Sequence, residues 1–371
     1  MNITKSVCLI ALAIGACDPV AHAQAKPEQA KAPAAAKSNG KAELPNIKIL
    51  ATGGTIAGAG EAGGYGYTSG QFKVSDLIKA VPDLDKKARL SGEQIANVGS
   101  QDMNDEIWLK LAKRANELLA EPSVDGIVIT HGTDTMEETA YFLDLVIKSK
   151  KPVVLVGSMR PATAISADGP ANLYNGVATA GSPGARGRGV LVVINDSIHY
   201  ARNVVKTNTT NVETFASPNR GPAGLVASGS VTWFEQMDKR HTSDSEFSVG
   251  KNVSSLPRVD IIYAHSNMDA SLIDAAIAAG AKGIVVAGVG DGNMSKSALD
   301  ALTSAAQKKI LVVRSTRLPA GMVMRNAEVN DDKLGFVASG EFNPGKSRVL
   351  AMLALTRTSD PGRVQQMFRQ Y

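Results

Sequence analysis

The chain has no cysteine beyond its first twenty residues; its two thiols are Cys8 and Cys17. A fold built downstream of them stands without a disulfide. No block of five or more like charges occurs, and the net charge of +5 is scattered. That balance argues against nucleic acid as a partner. No apolar run reaches the roughly 20 residues that span a bilayer, so no membrane span is expected. G-x-S-x-G, H-E-x-x-H and Walker A patterns are missing, and the histidines at 22, 131, 199, 241 and 265 lack metal-ligand spacing. Neither a metal nor another cofactor is indicated. Chemistry here must use hydroxyls, carboxylates, lysine and backbone amides.

What is present is globular: 44% hydrophobic and 20% charged residues, enough for a packed core. Residues 1–23 have the form of a secretory signal, with Lys5, an apolar stretch from Val7 to Ala16, and Ala21-His22-Ala23 before Gln24. Export to the periplasm follows from that reading. The alternative is Ile14-Gly15-Ala16-Cys17 as a lipobox, which would anchor a lipoprotein through Cys17. Residues 24–44, rich in Ala, Lys and Pro, read as a disordered spacer.

Beyond the spacer, short β-branched runs alternate with amphipathic stretches. Strands are expected at Ile47–Ala51, Gly126–Thr130, Val153–Gly157, Val190–Asn195, Val259–Ala264, Ile284–Ala287 and Ile310–Val313. Their nearly unbroken apolar character suits parallel strands covered on both faces. Helices are expected at Asp105–Ala120, Glu137–Ile147 and Ser271–Ala279. The stretch Thr214–Ser255 reads as irregular strands and a linker. The expected fold is α/β, with a larger, mainly parallel N-terminal domain at 45–235, a linker at 236–255 and a smaller α/β domain at 256–371.

Ligands of open parallel sheets bind at the strands' carboxyl ends. Two such exits pair threonine with glycine: Thr52-Gly53-Gly54-Thr55 and Thr130-His131-Gly132-Thr133-Asp134-Thr135. Glycine there lets backbone approach a ligand and frees N–H groups for developing negative charge. Thr135 with Glu138 reads as a capping box for the next helix. Gly58-x-Gly60-x-x-Gly63 matches a dinucleotide pattern, but no helix follows it, so residues 58–70 read as a mobile loop. Thr55 is a candidate nucleophile, and a Thr–Lys–Asp relay from Thr133, Asp134 and Lys206 is chemically sensible. Each member also has a plain structural reading, as a turn threonine, a solvated lysine or a capping aspartate.

These residues give the chain a resemblance. ATGGTIAG at 51–58, VGSQDMND at 98–105 and DGIVITHGTDTMEETAYFLDL at 125–145 resemble motifs of the bacterial type II L-asparaginases and glutaminase-asparaginases. KPVVLVGSMRP at 151–161, SADGPANLYN at 166–175, AGVGDGN at 287–293 and FVASGEFNPGKSRV at 336–349 extend it from Leu44 to Tyr371. The resemblance implies Thr55 as nucleophile, activated by Tyr67 of the loop, with Thr133, Asp134 and Lys206 as a second catalytic trio. It implies Ser100 and Gln101 on the substrate carboxylate, Asp134 on its ammonium, and Glu328 with Asn267 reaching in from a partner subunit. Ser266 beside Asn267 is the other candidate for that last contact. It further implies a homotetramer with sites at dimer interfaces, and no cofactor.

The expected reaction is hydrolysis of L-asparagine to L-aspartate and ammonia, with weaker action on L-glutamine. A dual glutaminase-asparaginase is the near alternative, since one methylene separates the substrates. A hydrolase with Thr55 freed as an N-terminal nucleophile, and a non-catalytic amino-acid-binding protein, are the others.

Overall fold

The computed structural model describes residues 43–60, 66–250 and 253–371. The signal segment, the spacer up to residue 42 and the centre of the glycine-rich loop lie outside those residues. In chain order the strands are β1 (Asn46–Gly53), β2 (Ala59–Gly60), β3 (Tyr67–Thr68), β4 (Arg89–Val98), β5 (Gly126–Thr130), β6 (Val153–Val156), β7 (Val190–Ile194) and β8 (Ser197–Tyr200). Then come β9 (Val205–Lys206), β10 (Phe215–Ala216), β11 (Gly224–Ala227), β12 (Ser230–Trp233), β13 (Val259–Tyr263), β14 (Gly283–Gly288), β15 (Leu311–Thr316) and β16 (Phe336–Ala338). The helices are α1 (Val74–Lys79), α2 (Asp105–Ala120), α3 (Met136–Val146), α4 (Gly169–Gly181), α5 (Ser271–Ala278), α6 (Lys296–Gln307), α7 (Asp331–Leu334), α8 (Pro344–Leu355) and α9 (Pro361–Gln370).

The large sheet runs β12-β11-β8-β7-β6-β5-β1-β4 and the small one β13-β14-β15-β16. Strands β4, β1, β5, β6 and β7 are parallel; β8, β11 and β12 close the far edge antiparallel. The small sheet is parallel throughout. This is the expected α/β arrangement of a larger, parallel-rich sheet followed by a smaller one.

The central strands are apolar at every position because successive residues enter different cores. Ile127, Ile129, Val153, Leu155, Val190 and Val192 join one cluster with α2 and α3. Val128, Val154, Val156, Leu191 and Val193 join another with α4. The first cluster continues through α8 to Val285, Leu311 and Val313 of the small sheet. Helix α8 is thus buried around most of its circumference, including Lys346 at 1% exposure.

The long strand β4 has no counterpart among those expected from the sequence, and one expectation needs correction. β4 has no apolar run, since it is an edge strand paired only to β1 and buries little beyond Ile95. β13, expected to be covered on both faces, buries Val259 and Ile262, but Ile261 and Tyr263 are exposed at the edge of the small sheet. The stretch after Thr214 is partly sheet: β11 and β12 extend the large sheet, and residue 234 onward leads to the small one.

Candidate active site

Three exits of the large sheet meet backbone to backbone. Gly53 and Gly54 end β1 at φ of 103° and 80°, where a side chain is strained. A Cβ on Gly54 would stand 2.3 Å from the Gly132 amide nitrogen, and one on Gly132 would stand 2.7 Å from Ser100 Oγ. Both glycines are therefore required by packing. The contact sets Thr55 and Thr133 on adjoining loops beyond paired strands β1 and β5. Both threonines are buried, at 5% exposure each, and Thr55 opens a one-turn 3-10 helix, Thr55–Ala57.

Ser100 links the second and third exits. Its Oγ accepts the Asp134 N–H at 3.0 Å, which leaves the hydroxyl proton to donate elsewhere. Its carbonyl accepts the Thr135 hydroxyl at 2.7 Å. That bond overturns the expected capping box: Thr135 occupies the N-cap of α3, but its side chain does not cap. The Ser100 carbonyl also accepts the Met103 N–H at 3.2 Å, so the Thr135 hydroxyl adds a second bond that holds the two loops together.

Lys206 reaches the same place from a short antiparallel ladder in which it faces Phe215 of β10. Its ammonium donates to Thr133 Oγ1 at 2.9 Å and to Asp134 Oδ1 at 2.7 Å. The lysine side chain is 17% exposed and that of Asp134 56%, so the pair opens to solvent on its carboxylate side. With Thr133 Oγ1 accepting from lysine, its own proton is free to point at a bound molecule. The Thr133 N–H donates to no group among the described residues.

The lysine is also fixed through its backbone. Its N–H donates to Glu137 Oε2 at 3.0 Å, and Glu137 Oε1 accepts from Asn343 Nδ2 at 2.7 Å. Glu137 passes unnoticed in the sequence because an acidic residue in a helix's first turn is ordinary.

Other named residues fall as follows. His131 is fully buried with Nδ1 2.6 Å from the Gly132 carbonyl oxygen, and burial pulls its pKa down to about 4. It stays neutral near pH 7 and supports the loop. Gln101 is exposed and its amide lies over Gly99. Tyr67 pairs antiparallel in backbone register with Gly60, and Thr68 with Ala59; residues 61–65, with Gly63 of the dinucleotide-like pattern, lie outside the described residues. Asn267 and Glu328 are exposed on loops beyond the small sheet's strands. Among the described residues, neither bonds to Ser100, Thr133, Asp134 or Lys206. The Glu328 loop is tied instead to the Asp291 turn, where the Met324 N–H donates to Asp291 Oδ1 at 2.7 Å. No group of three or more His, Cys, Asp or Glu among the described residues could hold a metal.

A family model described as "Asparaginase, N-terminal" matches residues 46–239, and "Glutaminase/Asparaginase C-terminal domain" matches 258–368. The chain belongs to the asparaginase family. Its asparaginase relatives include the "Probable L-asparaginase periplasmic" of Haemophilus influenzae, 54% identical over 89% of this chain and 94% of that protein. The "Glutaminase-asparaginase" of Pseudomonas fluorescens biotype A is 48% identical over 89% and 92%. Among solved structures, the "Probable Cytoplasmic L-asparaginase" of Campylobacter jejuni superposes with a TM-score of 0.86 at 51% identity, covering 88% of this chain and all of that one.

Proposed function

We propose that the protein hydrolyses L-asparagine to L-aspartate and ammonia through an ester on Thr55. The observation that carries the mechanism is the Lys206 ammonium bound to both Thr133 and Asp134 beside the Thr55 exit. Thr55 Oγ attacks the side-chain amide carbon, and Tyr67 accepts its proton as the loop closes. The Thr133 N–H faces the oxygen that gains charge. Collapse breaks the C–N bond; the Thr133 hydroxyl passes a proton to the leaving nitrogen and is resupplied from Lys206. Water then cleaves the ester; the proton held at Tyr67 returns to Thr55 Oγ, and the proton released as the aspartate carboxylate forms restores the Lys206 ammonium.

The substrate's two charged groups have matching partners. The free Ser100 hydroxyl and Gln101 meet the α-carboxylate, and the open side of Asp134 meets the α-ammonium. Glu328 and Asn267 would complete the site from a partner subunit in a homotetramer. Exposed Tyr263, Leu318, Met322 and Met324 on the same side of the small sheet support a covering copy there. The name of the Haemophilus relative and the signal-like N-terminus support a periplasmic location, while the Campylobacter neighbour's title says cytoplasmic.

The glutaminase-asparaginase relative favours a second reading, comparable action on L-glutamine. Ammonia release from both amides, by the mature protein and by Thr55→Val, tests the proposal. Asparagine-preferring activity lost in the variant supports it. Equal rates move it to dual specificity, and undiminished activity in Thr55→Val removes the ester.

A further inference from the structure

A buried lysine far along the sequence lies behind the candidate site. Lys346 is the third residue of α8, which packs against α3, and its ammonium is enclosed. That ammonium donates to the Val204 carbonyl, two residues before Lys206, and stands 3.8 Å from Glu137 Oε2. Glu137 in turn accepts the Lys206 N–H and the Asn343 amide. Asn343 caps α8 by accepting the Lys346 N–H at 3.0 Å. Burial pulls the Lys346 ammonium below the usual lysine range and Glu137 draws it back up.

We infer that Glu137, Asn343 and Lys346 are positioning residues that fix the strand carrying Lys206 against the Thr133–Asp134 turn. The inference rests on the proposed role of Lys206. The geometry is a closed loop of contacts. From Lys206 the side chain runs to Thr133 and Asp134, while its backbone runs to Glu137, three residues beyond Asp134 on the same turn and helix. Two anchor points on one short segment leave the ammonium little freedom. The carboxylate that makes the second anchor has both oxygens engaged, and its charge is offset by Lys346.

A two-residue strand cannot supply this rigidity itself, because β9 pairs only with β10. The structure recruits it from the C-terminal family segment, whose α8 delivers Asn343 and Lys346 as one unit. Through them the small-sheet half of the chain sets the aim of a group in the large-sheet half. A buried cation with a carboxylate partner is a costly way to stabilise a fold, for which an apolar residue would serve as well. Its use here matches a demand for geometry, since misplacement of about 1 Å can cost a hundredfold in rate.

The test compares wild type, Lys206→Met, Asn343→Ser and Lys346→Met, all confirmed folded at the assay temperature. Asn343→Ser keeps a capping oxygen for α8 and deletes only the donor to Glu137. The expected result is a fall in kcat of about tenfold or more in Lys346→Met, a smaller fall in Asn343→Ser, and KM within about twofold in both. The pH profile of kcat should shift in the same direction in both, because the Lys206 surroundings change. If Lys206→Met is inactive while Asn343→Ser and Lys346→Met keep wild-type kcat and pH profile, the inference is overturned. If Lys206→Met keeps wild-type turnover, the reading of the site falls first, and this inference with it. Should Lys346→Met not fold, Asn343→Ser decides alone.

Discussion

Both sheets present polar side chains at their carboxyl ends, yet the two ends have opposite characters. Within β15 the guanidinium of Arg314 grips Asp331 at 2.7 and 2.8 Å, with both side chains at 0% exposure. The same guanidinium takes the Asp291 and Met324 carbonyls, and Asp331 accepts the Asn326 N–H. Nearly every donor and acceptor there is consumed by protein. At the large sheet the Lys206–Asp134 pair is half open, and the hydroxyl oxygens of Ser100 and Thr133 each accept a bond while their protons remain to be donated. Equal polarity thus serves two ends. Groups that satisfy each other hold loops in place, and groups left with one unspent valence can meet a ligand.

The difference predicts opposite responses to removing the cation. Arg314→Met strands the buried Asp331 carboxylate and should cost about 3–5 kcal/mol of stability, read as a lowered denaturant midpoint. Lys206→Met removes a partner from a carboxylate that water already reaches, so its stability should stay within about 1 kcal/mol of wild type. Equal stability losses in the two variants would erase the distinction.

Acid should act first on the large-sheet half. Burial lowers His131 and His199 to about 4, so both contribute stability above their usual 6.5 that is lost as pH falls toward 4. Asp144, buried with its Oδ1 accepting the Val190 N–H at 2.7 Å, is raised to about 6. Its preference runs the other way: the native state is favoured below the usual 3.8, and that favour is lost as pH rises through about 6. Two histidines against Asp144, with Glu138 and Asp105 also raised by burial, leave a net loss of at most about 3–4 kcal/mol between pH 6.5 and pH 4. All of these lie in the large-sheet half. Amides of β5, β7 and β8 should therefore gain hydrogen exchange before those of β14 and β15 as pH is lowered. Asp144→Asn should raise neutral-pH stability and steepen the decline, and exchange that starts in the small sheet would contradict the assignment.

The sequence showed most of this where residues carry a periodic or local signal. β5 is read to its end residues because both its faces are buried, and α2 because Asn104 caps it and its apolar residues recur every three to four positions. Ser100, Thr133, Asp134 and Lys206 were legible as chemical types near strand exits and through the family motifs. β4 was not, since an edge strand that buries little beyond Ile95 carries no continuous apolar run. Lys346 and Asn343 were not, because a lysine and an asparagine at a helix start look like surface until the fold encloses them. The roles of Glu137 and Thr135 depend on what the chain brings opposite them, which no local window contains.

Thr135 gives the finest test of the comparison. As a side-chain cap it would stabilise α3 and leave the neighbouring loops untouched. As a donor to the Ser100 carbonyl, it ties the second exit of the large sheet to the third. Thr135→Val keeps the volume and removes one of the two donors to the Ser100 carbonyl, which keeps the Met103 N–H at 3.2 Å, a loss of up to about 1 kcal/mol. Because the Ser100 hydroxyl is aimed by the same loop, substrate affinity should weaken by a few-fold through KM, with kcat changed less. Thr135→Ser restores the donor and should recover most of both. A stability loss in Thr135→Val with wild-type KM would mean that the tie between exits holds the fold but does not aim Ser100.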